Sequence, residues 1–536
     1  MSNFKEYIAE FRKRFDFPEP GLSYQERQRR RMAWRNERTL YKRKCDKTGE
    51  NIIASYSKDE PFPVYKPDAW FGDDWDALDY GQDFDFNRPF FEQFFELQKK
   101  VPRIALIAAH NVNCDYCNVV GDCKNCYLLF GSISCEDCMY GNPYYSKDCI
   151  DSLVVRNSEL CYECTDCEKL YECFFCQGCS NSKYIKYCFD VESCSYCFLC
   201  VGLRQKQYCI LNEQCSKEEY DNKIKELWKK SPEELRKMLN ELKLKTPVKF
   251  MEGKNNENVV GDYIYNSKDC YYLFNSSNCE NVHYATQIMD SHNIIETDIG
   301  EMGNFIYENS GFYKVSNMFF CHWCWEVADL MYCSTCTLNT KDCFGCISLK
   351  HKQYCILNKQ YSKEEYKKLI PKIIQHMKKT GEWGDFFPIK NSVFGYNETI
   401  AQEYHPLSRK EVTEKGWKWV EPQERVKNID NIIPGDEINQ RENKYSKEIL
   451  KLAVKCKATG RLFRIMSKEL KFYEKYNLPL PEFHPDERHL RRLALRNPRK
   501  IWNRVCYKCG ADIKTTYSPD DPQVVYCEKC YLKKIY

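Results

Sequence analysis

Small apolar side chains, cysteine above all, recur along residues 114–209 in steps of twelve: Cys114, Cys126 and Cys138; Cys149, Cys161 and Cys173; Cys164, Cys176, Cys188 and Cys200; Cys197 and Cys209. That period fits neither the 3.6-residue repeat of an amphipathic helix nor an array of plain hairpins. It predicts a β-solenoid with a coil of about 12 or about 24 residues, stacking equivalent side chains roughly 4.8 Å apart. The residues between, rich in Tyr, Phe, Ser, Asn and Asp, suit short strands with tight corners. Tandem treble-clef-like metal loops are the rival arrangement.

Two duplications organise the chain. Phe15–Trp70 aligns without a gap on Tyr476–Tyr531, matching Pro18 to Pro479, Arg30 to Arg491, Arg31 to Arg492, Asn36 to Asn497, Cys45 to Cys506 and Val64 to Val525. Internally, NVVGD at Asn118 recurs at Asn258, CYLLF at Cys126 as CYYLF at Cys270, and KQYCILN at Lys206 again at Lys352. Each internal copy ends in a helix opened by a capping box, Ser216 with Glu219 and Ser362 with Glu365. The expected fold is mainly β with helical caps: two cysteine-rich β-solenoid-like repeats flanked by basic-helix plus zinc-ribbon modules. Its parts are 1–106 (basic helix, degenerate metal-free ribbon, acidic aromatic segment), 107–250 (first repeat), 251–381 (second repeat), 382–460 (connector, with a helix from Ser446) and 461–536 (basic helix and zinc ribbon).

Composition sharpens the chemistry. The chain has 536 residues and 34 cysteines. Its first fifteen residues are charged throughout, and no apolar run approaches the length of a membrane span, so a cytoplasmic protein with reduced thiols is expected. Cys506-x2-Cys509-x17-Cys527-x2-Cys530 presents four thiolates at zinc-ribbon spacing, with a strand–turn–strand pattern between the two pairs. A structural zinc with no open coordination position is the expected cofactor. In the N-terminal copy only Cys45 survives; Thr48, Lys66 and Ala69 hold the other ligand positions, and Tyr56, Val64 and Tyr65 are core candidates. A weaker third remnant places Cys456 and Thr459 before His484 and Glu487. The arrangement C-x2-C-x8-C-x8/9-C-x2-C-x8-C nominates further metal ligands at Cys176, Cys179, Cys188, Cys197, Cys200 and Cys209, and at Cys321, Cys324, Cys333, Cys343, Cys346 and Cys355. The competing reading makes them packed thiols, since Val282 and Asn293 stand where Cys138 and Cys149 have their counterparts. Cys161-x2-Cys164-x2-Cys167 lacks the further cysteine and proline of a ferredoxin run.

The net charge of +4 conceals two basic stretches, a helix at Arg27–Lys44 with +8 and one at Asp486–Arg504 with +5. Arg27, Arg30, Arg31, Arg35, Arg38, Arg491, Arg492, Arg496, Arg499 and Lys500 are the candidate nucleic-acid-binding residues, with Trp34, Tyr41 and Trp502 as stacking rings. Against them, Asp68–Glu96 nets −8, carries ten aromatics and could neutralise the first helix within the molecule. The sequence holds no P-loop, GxGxxG, HExxH or GxSxG motif, and His322, inside Cys321-His-Trp-Cys324, reads as a spacer aromatic.

The runs LYKRKCDKTGENIIASYS, WDALDYGQDFDFNRPFFEQF, the repeated KQYCILN-x-Q-x-SKEEY, GEWGDFFP and RNPRKIWNRVCYKCG with VVYCEKCY together resemble a family of uncharacterised cysteine-rich zinc-ribbon proteins from small-genome candidate-phylum bacteria. The resemblance implies repeated ribbon-like modules and cytoplasmic residence, and carries no activity. The leading expectation is a non-enzymatic, zinc-stabilised RNA-binding or ribosome-associated protein, with RNA or the ribosome as partner. A protein-interaction scaffold with structural zinc comes second, and a redox or iron–sulfur enzyme third.

Overall fold

Between Ala108 and Ile210, successive stretches of chain pair in parallel with a step of twelve, as in Asn118 with Phe130, Tyr127 with Met139, Cys161 with Cys173 and Cys197 with Cys209. A second parallel ladder runs from Gly253 to Ile356, pairing Ser310 with His322 and Cys343 with Cys355. Single-residue departures, Asn142 with Leu153 and Ala328 with Lys341, account for the offset between the two internal copies rising from 144 at Cys126 and Cys270 to 146 at Lys206 and Lys352. The computed structural model describes residues 3–421 and 431–535. Among them the protein is mainly β-sheet, with twelve α-helices and no closed barrel. Among the described residues no helix is long and apolar enough to cross a membrane.

Beneath the twelve lies a shorter period of three. Every third residue of the first ladder from His110 to Leu211, with one break between Tyr140 and Tyr145, has a left-handed backbone; so does every third from Asn266 to Leu338, the non-glycine residues there at φ 46–61°. Such residues cost about 1–2 kcal/mol each for most side chains, less for Asn and Asp, which are common among them. The cost is offset because the N–H of each corner residue reaches a carbonyl one rung back: Asn125 to Val112 (2.9 Å), Phe175 to Tyr162 (2.9 Å), Tyr187 to Phe174 (3.0 Å).

The residue after each corner faces inward, which puts Cys117, Val120, Cys123, Cys126 and Leu129 in one buried column that continues through Cys209. Small and aliphatic side chains fill the column, and those with a hydrogen to donate find a use for it. Ser158 donates to the Arg156 carbonyl (2.7 Å) and accepts from the Leu170 N–H (3.0 Å); Cys117 donates to the Asp115 carbonyl (3.4 Å) and accepts from the Leu129 N–H (3.5 Å). The second ladder is more aliphatic, with Val282, Ala285, Ile288 and Ile294 inside. Val282 holds the inward place of Cys138 as expected. Asn293, however, is a half-buried corner residue bonded to Asn304 (3.0 Å), and Ile294 fills the inward place of Cys149.

Each ladder closes with a strand that reverses direction, Glu213–Gln214 and Lys359–Gln360. Helices follow, Lys217–Leu227 and Lys363–Thr380, with the predicted capping boxes formed. The terminal modules depart from expectation. The first basic helix spans only Tyr24–Met32, because Asn36 closes a turn onto Thr39 (2.9 Å) and Tyr41–Lys44 becomes a ribbon strand paired with Asn51–Ala54. Pro485–Leu493 and Trp502–Val505 repeat this. Ser446 caps a short turn, Lys447–Lys451, rather than a full helix.

The modules interlock with the ladders crosswise. Val64–Tyr65 pairs with Arg103–Ile104, which leads into the first ladder, while helix Tyr24–Met32 docks on the second. Val525–Tyr526 pairs with Val248–Lys249, which leads into the second ladder, while helix Pro485–Leu493 docks on the first. The acidic segment covers the end of the second ladder rather than the basic helix, joining Asp76 to Lys352 (2.5 Å) and Asp83 to Lys359 (2.6 Å) and seating Phe90 against Tyr332 and Phe344.

Two inward glycines test the packing rule. A Cβ on Gly300 would lie 2.1 Å from the Phe312 ring, which sits one rung further on. Gly300→Ala is expected to destabilise the chain by about 1–3 kcal/mol. In urea unfolding, Phe312→Leu should recover part of that loss when combined with it, and strictly additive losses would show that the ring and the glycine do not share the space.

Candidate metal centre

The strand pair Trp502–Val505 and Asp512–Thr515 turns at a knuckle in which Gly510 takes φ +73°, a conformation that favours glycine. Cys506 accepts the Cys527 N–H at 3.2 Å, and helix Glu528–Ile535 begins directly after Cys527, so its first turn brings Cys530 back to the knuckle. The four sulfurs of Cys506, Cys509, Cys527 and Cys530 lie within 4.8 Å of one another, with Cys509 and Cys527 at 3.8 Å. Burial works against a Cys506 thiolate, but the N–H groups of Cys527, Cys509 and Lys508 outweigh it and bring its pKa down to about 6. Burial and its neighbouring thiols push Cys530 up to about 12. Four sulfurs this close cannot all ionise without a cation, and the donor set fits a metal ion.

The knuckle recurs twice without its ligands. Gly49 and Gly460 take φ +75° and +70°, and the turns close identically: Cys45 N–H to the Glu50 carbonyl (2.8 Å), Cys456 to Arg461 (2.9 Å), Cys506 to Ala511 (2.8 Å). In the first, Lys66 turns to Glu50 (2.7 Å) and its N–H still reaches Cys45 (3.4 Å). Val64 is buried as expected, Tyr56 and Tyr65 are half-buried, and Ala54, Phe62 and Ala105 complete a core that the sequence did not nominate. In the third, His484 caps helix Pro485–Leu493 through the Asp486 N–H (3.2 Å), which draws it away from a metal role.

The twelve further ligand candidates are corrected. Cys176, Cys179, Cys188, Cys197, Cys200 and Cys209, with Cys321, Cys324, Cys333, Cys343, Cys346 and Cys355, are inward residues, each donating to the carbonyl two positions earlier at 3.2–3.7 Å. Their C-x2-C spacing is the step from one inward position to the next. Among the described residues, only the C-terminal four thiols gather as a metal-ligand group. All 34 cysteines are unpaired by disulfides. His322 is buried against Trp34, near Ser334 (3.3 Å), with burial and nearby Arg103 holding its pKa down to about 3.

The basic residues are corrected as well, because most are committed inside the molecule. Arg27 meets Glu296 (2.6 Å), Arg30 meets Glu308 (2.9 Å), Arg31 meets Asp298 (3.0 Å) and Arg35 meets Glu37 (3.2 Å). Arg492 meets Asp151 (2.8 Å) and Arg496 meets Asp166 (2.8 Å). Arg38 is half-buried over the Phe130 ring, and Arg499 is stacked 3.8 Å over Tyr404. Of the ten, Arg491 and Lys500 are exposed; Arg491 pairs with Glu487 (3.0 Å), and Lys500 lies beside Trp502. Trp34 is buried and donates to the Phe387 carbonyl. Arg488, which also reaches Asp151, escaped the sequence reading. Its alignment with Arg27 across the terminal duplication was the available signal. Burial pushes the Glu308 carboxyl above its ordinary range, and Arg30, Arg31 and Arg27 pull it back.

No protein-family model and no curated protein matches this sequence. Among solved structures it is similar to a chain entitled "putative acetyltransferase from Desulfovibrio desulfuricans G20", at 11% identity over 51% of this chain and 82% of that one, with a TM-score of 0.11. A likeness that low carries no argument here.

Elemental analysis of the intact protein should find one metal per chain, lost in Cys509→Ser; two or more would restore the interior cysteines as ligands. Thiol titration of the metal-free chain in denaturant without reductant should count all 34 cysteines. The double variant Arg488→Met/Arg492→Met leaves buried Asp151 without either arginine and should cost about 3–5 kcal/mol or more, whereas Arg491→Met should cost under about 1 kcal/mol, read as shifts in the urea midpoint.

Proposed function

We propose that the chain is a non-enzymatic, zinc-stabilised protein-interaction scaffold: two β-solenoids of twelve-residue coils, locked crosswise by duplicated arginine modules, with one zinc ribbon at the C-terminal end. The observation that carries this reading is the burial of Arg27, Arg30, Arg31 and Arg492 against carboxylates of the ladders, and of Arg35 against Glu37 of its own module. Guanidinium groups buried in this way cannot also reach the backbone phosphates of a nucleic acid at the surface without breaking the fold. Parallel pairing at a step of twelve and the left-handed corner at every third residue support the solenoids. Zinc accords with four sulfur donors and no other ligand type. Interior thiols held reduced suit a cytoplasmic setting. The scaffold's exposed surface includes rows of alternating charge, Lys124, Glu136 and Lys147, along a shallow groove on the first ladder.

A second reading keeps RNA as the partner but moves the contact. Tyr507, 75% exposed at the tip of the zinc knuckle, stands beside exposed Lys508, a pairing suited to stacking on a base and meeting a phosphate. Fluorescence anisotropy of labelled single-stranded RNA with the full chain separates the two. The scaffold reading expects weak binding, roughly 10⁻⁴–10⁻⁶ M at physiological salt, unchanged in Tyr507→Ala/Lys508→Glu. Tight binding whose salt dependence falls in that variant would favour RNA.

A further inference from the structure

Where the two terminal modules meet the connector, hydrogen-bond donors outnumber acceptors. Helix Tyr24–Met32 and its continuation, the segment Ile400–His405 and the stretch Arg496–Arg499 come together there; the Ile400 N–H bonds the Arg35 carbonyl (2.9 Å) and Arg499 stacks on Tyr404 (3.8 Å). Arg31 and Arg35 are 0% and 1% exposed, and each uses only part of its guanidinium: Arg31 leaves Nη2 and Arg35 leaves Nη1 without a partner. Arg499 leaves Nε, Nη1 and Nη2 all buried and unpartnered. Arg29 Nε, His405 Nε2 and Tyr24 Oη are orphaned in the same neighbourhood, where Arg499 feels Arg496 and Arg35, His405 feels Arg29, Arg499 and Arg31, and Asp298 is the one carboxylate that acts on both.

The charges do not balance. Asp298 pairs with Arg31, Glu37 with Arg35, Asp166 with Arg496 and Glu403 with His489; Asp298 also acts on Arg499 from a distance, but Arg499 has an aromatic face and no carboxylate in ion-pair contact. Elsewhere in this protein each deeply buried arginine of the basic helices meets a carboxylate, as Arg27, Arg30, Arg488 and Arg492 do. A buried cation with unused planar N–H groups is costly when left alone, and guanidinium forks match the paired oxygens of a tetrahedral oxyanion.

We propose that Arg499, Arg35 and Arg31, with His405, form an internal binding site for a phosphate-class oxyanion, either free inorganic phosphate or the phosphoryl group of a small molecule. The anion supplies the missing negative charge at the joint between the modules and takes up the orphaned donors. The site is distinct from the metal centre and does not depend on the scaffold reading.

The test uses the full chain. Protein purified in chloride buffer free of phosphate and sulfate is unfolded, and its released anions are identified by ion chromatography and mass spectrometry, which separates inorganic phosphate from an organic phosphate. A refolded or anion-stripped sample is then titrated with inorganic phosphate by calorimetry. Released and titrated anion together should total one per chain. The melting temperature should rise with phosphate and not with chloride at equal ionic strength. Arg499→Met should lose the anion and the phosphate-dependent rise, yet be at least as stable as the parent without phosphate, because the unbalanced charge is gone; Lys500→Met should leave binding unchanged. A total of zero anion in the parent, or Arg499→Met equally destabilised with and without phosphate, would overturn the proposal and leave Arg499 as a packing residue over Tyr404.

Discussion

Only one side chain in three can face the interior of a ladder whose chain turns a left-handed corner at every third residue. The interior is narrow, so most of what enters is small or aliphatic, and every backbone group that lines it must find a partner on the adjacent rung. Cysteine and serine satisfy both demands, since each fills about the volume available and offers a hydrogen to the carbonyl two residues back. The cysteine count of this protein follows from that steric limit. Where the second ladder admits a large ring, at Phe312, it does so by placing glycines at Gly300 and Gly303 on the rung before.

The same limit explains where the charge goes. A ladder this slender cannot bury a large core of its own, and its outer faces need cover. The arginine helices provide it by docking on carboxylates such as Asp151 and Asp298, which are 0% exposed once docked. Because Arg31 reaches Asp298 and Arg492 reaches Asp151, each end of the chain closes over the repeat more distant from it in the crosswise plan. Neither duplication is then free to act alone.

Much of this was legible in the sequence, and the failures share one cause. The step of twelve, the capping boxes at Ser216 and Ser362, the ribbon at Cys506 and its empty copy at Cys45 all depend on local spacing, which a sequence displays. The fate of Arg31 or Arg492 depends on partners hundreds of residues away, and a basic helix that docks inward looks the same on paper as one that faces solvent. The C-x2-C steps misled for a subtler reason: a metal knuckle and two successive inward positions share a spacing. What differs is where the left-handed residue sits: after the second cysteine in the metal knuckle, at Gly510, and between the two cysteines in the ladders, at Gly178, Leu199, Trp323 and Gly345. The segment that buries Trp70 and Phe90 was expected to find basic residues and did, though they are Lys352 and Lys359 rather than the arginines.

The two reversed strands that close the ladders, Glu213–Gln214 and Lys359–Gln360, have a consequence for how long the assembly can grow. A parallel stack exposes at its last rung the same unpaired N–H and C=O groups that built every rung before it, and any similar chain could add there. Turning the final strand around changes the hydrogen-bond pattern from slanted to perpendicular, so the end no longer templates another copy of the repeat. The polar helices that follow lie over what remains. The reversal thereby ends each ladder where it stands, and its last rung offers no template for a further parallel strand.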